Sequence, residues 1–150
     1  MNKKLKYTDF KTDSEKDRNI AHEPYIVWGL EEAASKIDQG LFTDVLYTIQ
    51  MRLGLSNKEL SELLQISSRT LDRRKKESTL PSDESERSYR VARLTDQAFQ
   101  VFGDANKVAE WFSRPNYALG NQKPIDMIKS EPGARLVERL LGQIEHGISV

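Results

Sequence analysis

Five basic side chains fall between Ile66 and Leu80, accompanied by two acids, in a chain whose formal net charge is zero. Arg69 and Arg73 are four residues apart, and guanidinium groups one helical turn apart can each donate paired hydrogen bonds to guanine or phosphate. The pattern predicts a local contact with nucleic acid, because a neutral chain has no global field that would attract one. The alternative is a solvated helix end whose cations interact with the helix dipole.

The residues around this basic run have the spacing of a helix-turn-helix motif. Ser56 and Glu59 have the capping-box arrangement that begins a helix. Ser67 can cap the second helix, which we expect to run from Ser68 to about Glu77. Apolar residues fill the positions that the crossing helices require, and a small residue stands where they approach: Leu60, Ser61, Leu64, Ile66 and Leu71.

A helical projection with Leu71 facing inward identifies the surface that we expect to contact DNA. Its predicted residues are Ser67, Ser68, Arg69, Asp72, Arg73, Arg74 and Lys76. Ser67 and the free N–H groups at the helix start suit a phosphate. Gln65 departs from the motif, because glycine is common at this turn and another residue in the left-handed conformation costs about 1 kcal/mol.

The remaining apolar pattern predicts an all-α protein. Between Ile26 and Leu53, apolar residues recur at three- and four-residue spacings and favour two amphipathic helices separated near Gly40. The apolar residues of this pattern are Val27, Leu30, Ala33, Ala34 and Ile37, then Phe42, Val45, Leu46, Ile49 and Leu53. A long helix is expected from Ser85 to Phe102, and a short one from the cap at Asp104 to just before Pro115. Another helix is expected to begin at Pro124, and a last one to end at Gly147. Trp111 is expected to be a core anchor.

Composition excludes several functional classes. The chain has no cysteine, so disulfides and thiolate metal sites are excluded. No apolar run approaches the length of a membrane span, and Met1 to Asp17 lacks the apolar core of a signal peptide, so we expect a soluble cytoplasmic protein. His22 and His146 are the only histidines, and no phosphate loop or nucleophile elbow occurs. We therefore expect no enzyme activity, no cofactor and no metal.

The C-terminal third contains helix stops and starts at fixed offsets. They are Phe102-Gly103-Asp104, Trp111, Pro115-Asn116, Leu119-Gly120, Pro124-Ile125 with Met127-Ile128, Gly133 and Gly147. With Arg69-Thr70-Leu71 and Arg73 upstream, this series resembles the Xre/MbcA/ParS antitoxins of RES-Xre toxin-antitoxin systems, over roughly residues 29–150. One departure is Asn121, where a second glycine is frequent in the family.

The resemblance implies an antitoxin with two surfaces, one for operator DNA and one for a RES-domain toxin. RES toxins are similar to ADP-ribosyltransferases and consume NAD or use it to modify a target. The antitoxin would cover the toxin's active site and repress its own operon, as a homodimer within a toxin-antitoxin complex. The toxin-binding residues would be Asn116, Tyr117, Gln143, His146, Gly147, Ile148, Ser149 and Val150.

We accordingly divide the chain into a flexible segment 1–23, a helix-turn-helix module 24–80 and a toxin-binding domain 81–150. The partly apolar tail at Ile148 and Val150, ending in a carboxylate, would occupy a cleft built for an anionic dinucleotide. Two alternatives stay open. One is a helix-turn-helix transcription regulator whose C-terminal domain only oligomerises. The other is a pure inhibitor whose helix-turn-helix no longer binds DNA.

Overall fold

The computed structural model describes residues 25–147, and of Ile26 the backbone alone. Within this range the chain forms eight α-helices and two short 3-10 turns, at Tyr25–Val27 and Tyr117–Leu119. The helices are α1 Leu30–Gln39, α2 Asp44–Leu53, α3 Asn57–Leu63, α4 Ser68–Arg74, α5 Ser82–Phe102, α6 Ala105–Ser113, α7 Pro124–Met127 and α8 Glu131–Glu145. Residues 25–147 contain two isolated β-bridges and no strand. The prediction of an all-α fold is confirmed.

The long helix α5 is the centre of the molecule. It packs against α1 and α2 from the first half of the chain, and against α6 and α8 from the second half. Its side chains Val91, Leu94 and Ala98 are almost completely buried between these neighbours. Pro81 precedes the first turn of α5, and Gly103 ends the helix in a left-handed conformation with φ of 68°. One continuous helix therefore carries both halves on a shared core.

The first two helices form where the apolar period predicts, but part of their predicted apolar face is exposed. Val27, Leu30 and Phe42 expose 58%, 91% and 62% of their surface, and Ala34 is exposed as well. The apolar side of this segment is therefore only partly covered by the rest of the fold. Helix α1 buries Ala33 and half-buries Ile37 against α5, and this narrow contact does not reach the residues beside it. Periodicity shows that a helix has an apolar side, but it does not show how much of that side a neighbour covers.

An ion pair lies inside the core between α2 and α5. Arg52 is 1% exposed, and its Nη1 lies 2.6 Å from Oδ1 of Asp96. The same nitrogen donates to Oγ1 of Thr95 at 3.0 Å and to the carbonyl oxygen of Ala92 at 3.3 Å. Removing one member of a buried pair strands the other charge and costs roughly 3–5 kcal/mol. This pair fixes how α2 sits on α5, and no pattern in the sequence indicated it.

Local sequence signals set most helix ends. Ser56 and Glu59 form the predicted capping box, and the side chain of Asp104 accepts a hydrogen bond from Lys107 N at 2.9 Å. Helix α4 ends at Arg74, three residues before the predicted end. Gly133 is required by close packing, because a Cβ there would lie 1.9 Å from the carbonyl oxygen of Met127. No helix in residues 25–147 has the length and apolar character needed to cross a membrane.

Candidate DNA-binding and partner-binding surfaces

Helices α3 and α4 cross as a helix-turn-helix motif requires. Leu60 on α3 and Leu71 on α4 are completely buried, and Leu64 is nearly so. Ser61 is buried at the crossing, where its Oγ lies 3.4 Å from Oγ of Ser68. The predicted small residue therefore lies where the two helices come closest, since a larger side chain would separate them.

The turn between the helices has the predicted left-handed residue. Gln65 has φ of 57°, one of two positive values at residues other than glycine within 25–147. The turn is closed by a hydrogen bond from Ile66 N to the carbonyl oxygen of Ser61 at 3.0 Å. Ser67 then caps α4, its Oγ accepting from Thr70 N at 3.0 Å. The geometry of the motif is retained at Gln65 at the expense of backbone strain.

Most of the predicted DNA-contacting residues share the exposed face of α4. Exposed side chains occur at Ser67, Ser68, Arg69, Asp72, Arg73 and Lys76. Among the described residues, Arg69 and Lys76 form no ion pair, and Arg73 Nε lies 4.0 Å from Glu77 Oε1. Three cations on this face are thus available to an anionic partner, with Asp72 as the acid among them.

Arg74 differs from the other predicted DNA contacts. Its Nε donates to Glu84 Oε2 at 2.7 Å, and its Nη2 donates to Glu84 Oε1 at 3.0 Å. Its Nη1 also lies 3.2 Å from Glu77 Oε2. The guanidinium is therefore engaged within the molecule, and only 15% of the side chain is exposed. This arrangement argues against a DNA contact by Arg74, and we assign it the role of attaching α4 to α5.

Lys75 is also held by neighbouring elements. Its Nζ donates to Gln50 Oε1 at 2.8 Å and to Asn57 Oδ1 at 2.7 Å, and it lies 5.0 Å from the ring centroid of Tyr47. These contacts attach the end of α4 to α2 and α3. The basic residues of this segment therefore have two roles. Arg74 and Lys75 attach the end of α4 to neighbouring helices, whereas Arg69, Arg73 and Lys76 face outward.

In the C-terminal half, the 3-10 turn Tyr117–Leu119 presents an aromatic ring to solvent. Asn116 caps this turn, its Oδ1 accepting from Ala118 N at 3.0 Å. The backbone of Asn116 also forms a bridge with Gln122. Tyr117 is 88% exposed as a result, while Leu119 is buried and packs into the core. The capped turn thus presents a large aromatic side chain to solvent.

The other predicted toxin-binding residues lie at the end of α8. Gln143 is half-buried, and His146 and Gly147 are exposed, with Gly147 in a left-handed conformation at φ of 69°. Ile148, Ser149 and Val150 lie outside the described residues. The 3-10 turn packs against α8, so the two predicted regions belong to the same part of the fold. Within residues 25–147, no group of three or more metal-ligating side chains occurs.

An apolar groove beside the 3-10 turn was not predicted from the sequence. It encloses about 280 Å³ and is lined by Phe102, Lys107, Glu110, Trp111, Arg114, Pro115 and Asn116. Trp111, the expected core anchor, is only half-buried and lines this groove, whereas its neighbour Phe112 is completely buried. The paired aromatics were visible in the sequence, but helical spacing alone does not distinguish the packed ring from the groove-lining one.

Two family models match successive parts of the chain. Residues 32–93 match the antitoxin Xre-like helix-turn-helix domain. Residues 97–147 match the antitoxin Xre/MbcA/ParS C-terminal toxin-binding domain. The interval between the matches falls within α5, the helix that both halves share. The domain boundary predicted at residues 80 and 81 stays a prediction.

Full-length relatives agree with these matches. The chain is 34% identical over 114 residues to the antitoxin Xre of Yersinia enterocolitica, covering 75% of this chain and 77% of the relative. It is 32% identical over 117 residues to the antitoxin Xre of Pseudomonas putida, covering 77% and 72%. A chain in the crystal structure of the M. tuberculosis MbcT-MbcA toxin-antitoxin complex shares the fold, with a TM-score of 0.59 and 22% identity over 72% of this chain and 96% of that one. The fold, the two domain matches and these relatives show that the chain belongs to the Xre family of antitoxins.

Proposed function

We propose that this antitoxin binds and neutralises a RES-domain toxin by covering its active site, and that it represses its own operon by binding operator DNA. The observation that carries the proposal is the pairing of two surfaces on one shared core. One is the exposed basic face of α4, and the other is the toxin-binding domain matched at residues 97–147. Because operator DNA lies in the cytoplasm, the proposal implies that the protein acts there.

The DNA-binding part of the proposal rests on the α4 face. The second helix of such a motif enters the major groove, with the residues of its first half toward the base edges. Arg69 would contact bases, Arg73 bases or phosphate, and Lys76 the phosphate backbone, with Ser67, Ser68 and Asp72 beside them. One such face offers few cations, so a homodimer on a two-fold operator would double the phosphate contacts.

The toxin-binding part rests on the C-terminal surface. Tyr117 and Asn116 on the 3-10 turn, and Gln143, His146 and Gly147 at the end of α8, would contact the toxin. The tail residues Ile148, Ser149 and Val150 would enter the toxin's NAD cleft. The apolar side chains of Ile148 and Val150 are chemically suited to the apolar part of a site that accepts a dinucleotide. Blocking that cleft would stop NAD consumption or ADP-ribose transfer.

The test is co-expression with the product of the neighbouring gene, which the proposal expects to be a RES-domain toxin. Copurification and recovery of bacterial growth are expected, together with binding of the complex to the upstream DNA. A transcription regulator whose C-terminal domain only oligomerises would bind that DNA without capturing the toxin, and this result would overturn the toxin half of the proposal. Capture of the toxin without DNA binding would overturn the operator half.

A further inference from the structure

We propose that the groove on α6 is an anchor site, which takes one bulky apolar side chain of the toxin flanked by a carboxylate. The inference rests on the proposed function and deepens it, because it names the chemistry that the toxin must present. All seven groove-lining residues, from Phe102 to Asn116, lie within the part of the chain that matches the toxin-binding domain. None of them except Asn116 was expected to contact the toxin.

The floor of the groove is aromatic and well supported. The Trp111 ring lies 5.6 Å from the Phe102 ring and 5.2 Å from the Phe112 ring, measured between centroids. Phe112 meets Trp111 edge to face and is completely buried, so the indole rests on the core. Trp residues supported in this way are over-represented among the side chains that dominate protein–protein binding energies.

The size of the groove limits what it can hold. Sites for small molecules and cofactors are usually about 300–1,000 Å³, and this groove, at about 280 Å³, is at or below that range and open to solvent. It suits one large side chain with its neighbours better than a dinucleotide. The apolar floor selects an aliphatic or aromatic group for the deepest position.

The rim of the groove adds a preference for negative charge. Lys107 and Arg114 carry two positive charges there, and Glu110 carries one negative charge. Arg114 Nη2 lies 2.6 Å from Glu110 Oε1, so that pair is mutually neutralised and Lys107 supplies the surplus. A toxin segment with a carboxylate beside its apolar anchor would complement this rim, and a basic segment would be repelled.

The groove is formed before any partner arrives. Asp104 caps α6 at one end, and the bridge between Asn116 and Gln122 holds the backbone at the other end. Binding would therefore order few groups of the antitoxin, and little of the interaction energy would be lost to ordering them. Preorganisation of this kind is expected of an anchor site.

Two variants of the full-length antitoxin test the anchor, with affinity for the purified toxin as the readout. Trp111→Ala removes the floor and should weaken binding by at least about tenfold, as central aromatic contacts do. Lys107→Glu reverses the rim charge and should also weaken binding, mainly by slowing association, with the loss reduced at high salt. Lys58→Glu, the same reversal at an exposed position of α3, is the matched control and should bind the toxin normally.

Folding and function are separated by two further measurements. Operator binding and the circular dichroism of Trp111→Ala and Lys107→Glu should match those of the unmodified antitoxin. If Trp111→Ala is misfolded by this check, the toxin affinity of the surface variant Lys107→Glu tests the anchor. Normal toxin affinity in well-folded Lys107→Glu and Trp111→Ala would overturn the anchor while leaving the proposed function intact. Failure of the unmodified antitoxin to bind the toxin would instead overturn the proposed function itself.

Discussion

Arg74 and Glu84 form a two-point ion pair that joins the second helix of the DNA-binding motif to the long central helix. The distances are 2.7 Å from Nε to Oε2 and 3.0 Å from Nη2 to Oε1, and the two side chains are 15% and 11% exposed. The hydrogen bond to Glu84 is the main cause that raises the pKa of Arg74 above its ordinary value. Because α5 also carries the C-terminal half, this pair links the orientation of α4 to the rest of the fold.

Replacing Arg74 with alanine should therefore destabilise the protein. Glu84 would be left partly buried without its principal partner, which costs about 1–3 kcal/mol for a mostly buried polar group. Urea unfolding measures the change. Arg73→Ala, one residue away on an exposed side chain, is the control and should alter stability by less than about 0.5 kcal/mol. Equal effects of the two changes would show that the pair contributes nothing to stability.

Removing Arg69 and Arg73 together should abolish operator binding at physiological salt, leave weak residual binding at low salt, and leave toxin capture unchanged. Both side chains are exposed on α4, so their loss should not unfold the motif. For each phosphate contact that is lost, the slope of log binding constant against log salt concentration should become shallower by about one unit. Fluorescence anisotropy with operator DNA at several salt concentrations checks both effects. Undiminished operator affinity in the double variant would refute the assignment of this face.

The turn residue Gln65 offers a test of stored backbone strain. Its φ of 57° lies in the left-handed region, where a Cβ costs about 1–2 kcal/mol and glycine has no such cost. Glycine loses more chain entropy on folding, about 0.5–1 kcal/mol, so Gln65→Gly should raise the free energy of unfolding by about 0.5 kcal/mol. Gln65→Ala keeps the Cβ and should change it by only a few tenths. A glycine variant less stable than the alanine variant would contradict this account.

Local signals in the sequence predicted the motif because capping and turn formation depend on residues close in the chain. The capping box at Ser56, the cap at Ser67 and the left-handed turn at Gln65 all occur as expected. Burial depends on elements that are distant in the chain, and the sequence therefore indicated less well which side chains are buried. Leu30 fits an apolar period but is exposed, because α1 touches α5 along a narrow line.

The candidate surfaces also combine features that follow from the local sequence with features that depend on contacts between distant elements. The outward direction of Arg69 follows from the helical period of α4 and the inward Leu71. The engagement of Arg74 depends on Glu84, which the fold brings to it from another helix. The groove at Trp111 needs Phe102, Pro115 and the capped turn at Asn116 in one place. Such features require the tertiary arrangement, which no single helical period contains.

The capping box at the start of α3 should give the stability a specific pH dependence. Hydrogen bonds from the backbone and side chain of Ser56 lower the pKa of Glu59 below its ordinary value of 4.5. When folding lowers the pKa of a carboxyl group, the ionised group stabilises the folded protein at pH values above the pKa of the unfolded state. This stabilisation is lost as the pH falls through the pKa of the folded state. Glu59→Ala should therefore be less stable than the unmodified protein at pH 7.

The difference in stability between Glu59→Ala and the unmodified protein should shrink as the pH falls below about 4.5. The reason is that the protonated Glu59 carboxyl group accepts only a weak hydrogen bond from the Ser56 backbone. Urea unfolding at a series of pH values from 7 to 3 measures it. Glu62→Ala, on the same helix but outside the capping box, is the control and should have a small effect at pH 7. A stability gap for Glu59→Ala that stays constant over this range would contradict the capping interpretation.

Deleting Gly147–Val150 should separate binding of the toxin from its inhibition. If the tail enters the NAD cleft, the shortened antitoxin should still copurify with the toxin through the remaining C-terminal surface, but growth rescue and inhibition of NAD turnover should be lost. A variant with Ile148→Ser and Val150→Ser keeps the length of the tail but removes its apolar side chains, and it should inhibit only partially, which measures the apolar contribution. Full neutralisation by the shortened protein would reject the tail as the blocking element and leave the surface around Tyr117 to cover the cleft.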